Sequence, residues 1–459
     1  MKRSISFILL FLLITSCGSG NNLGASGSSL VESGAEVPTF ESGEDFAILL
    51  NTTAEFSGFT NTNLTSSSDS LILNSSTIME TGRVTLTNTI DGGHSQTINL
   101  TNTFTDPVVI AHIMTNNDSD TVAVRVRNVT STNFEIFMEE PDDSTHASEQ
   151  VSYMVFEKGE YTLSNGVLLE ADSFSTTANH IESGAFETNN VSLGLAHAGA
   201  PSVFSSLNSY NNSEFKASLV SGISSTNFGI QQETLGSGSS TTSEEMAWVA
   251  VSNFSGTIQG SSYEIETASC GSCGVTTNAP AIFNLSSFSS APNIISDGRT
   301  GNGVDGYFSK GSGTWSSTSY GVYAWEDVIN DGERSHTGES FSMLAVEDSA
   351  QINLFETSAS FETPVYDISN ILNYDDSEVN FSATTGSGVS LTMEYALSTD
   401  SGSTWGAWTA IASGGEMSLL SGVADFSTAQ VKFRGTVTST ENLSSFSLQS
   451  LEIIVRNLD

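Results

Sequence analysis

A short pattern returns three times along this chain. Pro107, Pro201 and Pro292 lie 94 and 91 residues apart, and Ser131, Ser225 and Ser317 lie 94 and 92 apart. Glu149, Glu244 and Glu339 are separated by 95 residues in both steps. Three anchors at one spacing are hard to produce by chance, so the chain from Met79 to Gln351 must hold three copies of one unit. The spacing is too long for a solenoid turn and suits a small domain with its own core.

The copies read as β. Val122–Val126, Phe134–Met138 and Val151–Val155 alternate inward and outward residues, and the turn Ser131-Thr132-Asn133 echoes as Ser225-Thr226-Asn227 and Ser317-Thr318-Ser319. The closing strands are Glu149–Glu157, Glu244–Val251 and Glu339–Glu347. Proline is rare and no segment shows a long helical period. The expected fold class is all-β: tandem antiparallel β-sandwich domains, with repeats at 79–175, 176–268 and 269–354. Phe134, Phe228 and Tyr320 are expected at one equivalent buried position.

Asp106-Pro-Val-Val-Ile-Ala-His-Ile113, Arg125-Val-Arg-Asn-Val-Thr-Ser-Thr-Asn-Phe134 and Val151-Ser-Tyr-Met-Val-Phe156 together resemble the H-type lectin domain. Ala247-Trp-Val-Ala-Val251 resembles that family's closing strand more closely still. The resemblance implies a six-stranded antiparallel sandwich, usually trimeric, that binds N-acetylgalactosamine-type sugars at subunit boundaries. The sugar-reading positions depart from the pattern: Thr121 stands where the family's Arg would, and Pro141-Asp142 where its Trp-His pair would.

The flanks carry other signals. Lys2 and Arg3 precede the apolar run Ile5–Ile14, which is short for a membrane span. Ile14-Thr-Ser-Cys17-Gly18 then resembles the lipobox of bacterial lipoproteins, which makes 1–17 a signal peptide and Cys17 the expected lipidation site. Residues 18–43 are Gly-, Ser- and Asn-rich and read as a tether. Residues 44–78 are too few for a core of their own and are expected to pack on a neighbouring domain. Residues 355–459 read as a jelly-roll-like sandwich, and within them Ser398-Thr-Asp-Ser-Gly-Ser-Thr-Trp405 resembles an Asp-box turn, with Asp400 capping the turn and Trp405 packed beneath it. Three residues apart, Trp405 and Trp408 would face opposite ways on a regular strand.

Lys+Arg 13 against Asp+Glu 52 gives a formal net charge of -39, which repels nucleic acid. Membrane contact is expected only through a lipid anchor, on a bacterial outer membrane or cell surface, with a glycan or envelope surface as partner and calcium as the cation such a surface would attract. A ligand is expected in the loop before the closing strand: Asp142, Asp143 and His146 in copy one, Trp325, Glu326 and Asp327 in copy three, where an indole beside carboxylates suits sugar stacking. The competing reading of that loop is a solvated turn with an edge aromatic. His146 with Glu149, and His336 with Glu339, offer metal-ligand types three residues apart, but their expected role is structural. Cys270-Gly-Ser-Cys273 is expected to close as a small disulfide. No catalytic constellation stands out, which leaves a glycan-binding or adhesive surface protein or a structural spacer, and not an enzyme.

Overall fold

The computed structural model describes residues 31–32, 40–87, 94–141, 145–181, 188–234, 242–303, 306–326 and 334–458. Among them the structure is almost wholly antiparallel β, as expected from the alternating patterns. Each of the three copies is a pair of sheets. In the first, the four-stranded sheet runs Gln351–Phe355, Ser75–Leu86, Glu149–Glu157, Pro107–Ile113, and the three-stranded sheet runs Gln96–Asn99, Asn133–Glu139, Ala123–Arg127. The second copy repeats the four-stranded order with Gly159–Thr162, Leu168–Thr176, Glu244–Val251, Ser202–Leu207. The third does so with Ser255–Ile258, Ser261–Ser269, Ser340–Val346, Asn293–Gly298.

The turn that marks each copy has a local cause one residue before the repeated serine. Thr130 Oγ1 accepts from Asn133 N–H at 3.1 Å and donates to Asn133 C=O at 2.9 Å. Ser224 does the same to Asn227, and Ser316 to Ser319. A hydroxyl that satisfies both groups of the turn's last residue fixes the hairpin register. The next residue is the buried ring: Phe134, Phe228 and Tyr320 are each fully buried in the core of their own copy.

The copies are not strung out. Their Pro-led strands, Pro107–Ile113, Ser202–Leu207 and Asn293–Gly298, contact one another pairwise, so they surround a common pseudo-threefold axis. One apolar cluster joins Ile110, Met154 and Phe156 of the first copy with Phe204 and Val249 of the second and Ile295 and Leu344 of the third. This explains why Met154 and Phe156, on the face opposite Val151 and Val155, are apolar as well. The face expected to point outward is buried in the axial core, while Val151 and Val155 fill the copy's own core. Each such side chain contributes roughly 1.5–3 kcal/mol by leaving water.

The boundaries at 175/176 and 268/269 need correction. Leu168–Thr176 pairs with Glu244–Val251 of the second copy, and Ser261–Ser269 with Ser340–Val346 of the third. The strand that follows each closing strand thus belongs to the sheet of the next copy. After the third closing strand, Gln351–Phe355 returns to pair with Ser75–Leu86 of the first. The ring of three is closed by main-chain hydrogen bonds between segments more than 260 residues apart in sequence.

The N-terminal strands join the last domain. Phe46–Leu50 and Ser70–Leu73 pair with Phe446–Asn457, and Thr60–Thr62 pairs with Ser358–Glu362. Phe46, Phe56, Leu71, Phe361, Tyr395, Phe433 and Ile453 share one core. The chain's two ends therefore make a single two-sheet domain, and Ser75–Leu86 leads from it into the ring.

Candidate functional site

The repeated glutamates lie at the boundaries between copies. Each is buried and takes the backbone N–H of an asparagine two residues after a hydroxyl residue: Glu149 from Asn117 at 2.9 Å, Glu244 from Asn211 at 3.0 Å, Glu339 from Asn302 at 2.7 Å. Thr115, Ser209 and Thr300 donate their hydroxyls to the same three carboxylates. The glutamate is a fastener for the loop after the Pro-led strand.

A cation from the preceding copy completes two of these sites. Arg125 Nη2 lies 3.6 Å from Glu244 Oε1, and Lys310 Nζ lies 3.3 Å from Glu149 Oε1; all four side chains are inaccessible to solvent. By strand register the matching residue of the second copy is Leu219, which packs in the third copy's core. There Glu339 relies on its own His336, 3.2 Å away. Burial pushes the Lys310 ammonium down, against the pull of Glu149. Glu149 itself ends below its usual value: burial pushes it up, and the hydrogen bond from His146 and the charge of Lys310 outweigh that.

The histidines of the repeated His-x-x-Glu pairs are structural bridges. His146 Nδ1 and Nε2 meet Glu140 at 2.7 Å and Glu149 at 3.2 Å. His336 meets Glu326 at 2.5 Å and Glu339 at 3.2 Å. Both ring nitrogens of each histidine already face carboxylates, so neither ring presents a nitrogen to a metal. Burial works against protonating His336, but the two carboxylates win and raise it to about 9.

The described candidate residues of the expected ligand loop are buried. Trp325 has no exposed surface; its ring packs with Phe215, Phe308 and Tyr323 and lies 4.2 Å from Lys310 Nζ. Glu326 is buried on His336, and His146 is buried on Glu140. None of the three is open to a sugar. The sequence could not reveal this, because the partner surface covering Trp325 includes Phe215, which comes from another copy. Asp142, Asp143, Asp327 and Cys17 lie outside the described residues.

On the axis, His112, Ser206 and Asp297 occupy equivalent positions and border a small polar cavity with Ser205 and Ser309. Asp297 Oδ2 accepts from Ser205 N–H at 2.8 Å and Ser205 Oγ at 2.6 Å. Asn208 and Ser206 serve the backbone of Val109 and Ala111 in the same way, so side chains of one copy satisfy the strand edge of another. Burial raises the Asp297 carboxyl to about 7 and lowers His112 to about 3. The latter shares a 2.6 Å hydrogen bond with the Tyr320 hydroxyl.

Cys270 and Cys273 are joined as a disulfide, with Cα atoms 5.4 Å apart. In the last domain, Asp400 accepts from Ser398 Oγ at 2.7 Å, Thr404 N–H at 2.8 Å and Thr404 Oγ1 at 2.5 Å, the cap that the Asp-box resemblance implies. Those bonds hold its carboxyl below the usual range. The opposite-face expectation for the two indoles is overturned. Residues 405–408 are not a strand, and both rings lie over the Lys432 ammonium, at 4.7 and 5.2 Å. Arg434 also lies 4.5 Å from the Trp408 ring. Lys432 pairs with Glu362 at 2.7 Å and Arg434 with Glu394 at 2.6 Å. Phe433, between the two cations, is buried in the core, so Lys432 and Arg434 project from the sheet's outer face.

Sequence reasoning missed a second column of glutamates. Glu80, Glu170 and Glu264 each take backbone N–H groups of a loop in their own copy: Thr101 and Asn102, Gly194 and Leu195, and Ser286. The available signal was an acid beside an apolar neighbour within a strand, at spacings of 90 and 94. It missed Arg125 and Lys310 as well: Arg125 stands between Val124 and Val126 with Arg127 two positions on, and Lys310 stands between Ser309 and Gly311.

No family model matches the chain, and no solved structure matches it. A stretch of 94 residues is 37% identical to Halomucin of Haloquadratum walsbyi (strain DSM 16790 / HBSQ001). The match covers 18% of this chain and 1% of that protein.

Proposed function

We propose that this is a surface-displayed binding protein that attaches to glycans, carried on a lipid anchor at Cys17 and held off the bacterial membrane by the 18–43 tether. The observation that supports this most is the closed ring: three like sandwiches locked by buried ion pairs and a returning strand. A rigid body of this kind repeats its surface loops at fixed spacing, which turns weak contacts into avidity. A glycan array probed with the full chain, with and without calcium, tests the reading: saturable binding is expected, and silence across the array refutes it.

The burial of Trp325 and His146 favours a second reading, in which the ring is an envelope spacer with no ligand of its own. The same array separates the two.

A further inference from the structure

We infer that the outer face of the last domain, around Trp405 and Trp408, is a binding site for an uncharged glycan. This rests on the proposed glycan-binding function but not on any part of the ring. Both indoles are half-buried and their centroids lie within 5.2 Å of one Lys432 ammonium, so they form a single patch. Beneath them Lys432 and Arg434 hold the rings in place from the outer face of Gln430–Ser439. Glu362, Arg434 and Glu394 form one row across three paired strands. Indole faces take the C–H faces of pyranose rings, and planar charged groups at their edge donate to and accept from adjacent hydroxyls.

Charge decides the ligand class. Only three cations follow residue 355, and two of them are in this patch. Each is already paired with a glutamate, so the patch carries no uncompensated positive charge for an anionic sugar. The surrounding chain is strongly acidic and repels polyanions. A neutral oligosaccharide meets neither obstacle. The patch was hidden in the sequence because the residues that unite the two indoles come from a strand more than 20 positions away.

The test uses the full chain against neutral oligosaccharides (β-glucan, chito- and manno-oligosaccharides) and anionic ones (alginate, sulfated glycans). A neutral series should bind, and Trp405→Ala with Trp408→Ala should weaken it at least tenfold. Trp315→Ala, which alters another half-buried indole, should not. In the wild type, the bound neutral glycan should protect Trp405 and Trp408 from N-bromosuccinimide oxidation, read by peptide mass spectrometry; this holds whether or not the double variant folds. Neutral binding with no protection of either indole overturns this site and leaves the glycan-binding function standing. Binding confined to anionic glycans overturns the ligand class, and no binding at all removes both.

Discussion

Arg125 and Lys310 occupy equivalent places, yet replacing each with leucine, the residue at that place in the second copy, should have unequal effects. Arg125 binds Glu139 at 2.8 Å, lies 3.6 Å from Glu244, and donates to the Ser209 carbonyl at 3.1 Å. Its loss leaves two buried carboxylates facing one another's copies without that guanidinium. Lys216, which also feels the charge of both carboxylates, is hydrogen-bonded to Gln232. Removing one partner of a buried pair costs about 3–5 kcal/mol, and Arg125→Leu should fall at the upper end. Lys310→Leu is milder because Glu149 keeps His146, just as Glu339 keeps His336 opposite the native Leu219. The expected loss there is about 3 kcal/mol, the lower end of the same range, including the cation–π contact with Trp325. Urea unfolding of both variants at pH 7.5 and 5.5 measures the difference. Burial already holds the Glu139 carboxyl above its usual value, and without Arg125 it should rise further. A raised carboxyl destabilises the fold as pH climbs through it, so the Arg125→Leu deficit should shrink at pH 5.5. Equal losses in the two variants, or an Arg125→Leu deficit that does not change with pH, would refute the reasoning.

Other expectations follow from the same structure. Asp297, raised by burial from 3.8 to about 7, should make the wild type lose stability as pH rises from about 4 through 7, on the order of 4 kcal/mol, and Asp297→Asn should flatten that slope in denaturation at pH 5 and 8.5. Ile352→Ala, in the strand that closes the ring, should cost about 2–5 kcal/mol and speed amide exchange in Ser75–Leu86; unchanged exchange would show that the ring does not depend on this strand. Trp325→Ala should destabilise by about 3–5 kcal/mol without altering any glycan affinity. Cys17→Ser should abolish acylation and leave an unprocessed precursor, and normal processing with unchanged detergent partitioning would remove the lipoprotein proposal.

The sequence by itself determined that the chain is β, that it contains three like units, and where their turns fall. Those features are local: a hydroxyl at Thr130, Ser224 or Ser316 reaches a residue three positions on, and a buried ring follows. It also determined the Asp400 turn, whose donors all lie within four residues. Only the tertiary structure decided which copy owns each strand, because a strand after a closing strand pairs equally well by pattern with either neighbour. It alone decided that Trp325 is buried, since part of what covers that indole comes from the second copy. It brought Trp405 and Trp408 onto one face through Lys432, where a regular strand would have separated them. Alternation along a strand tells which residues leave water, but the surface that receives them is set by contacts nearly a hundred residues or more away. A single copy read alone would present Met154 and Phe156 to solvent; three copies around one axis give them a core.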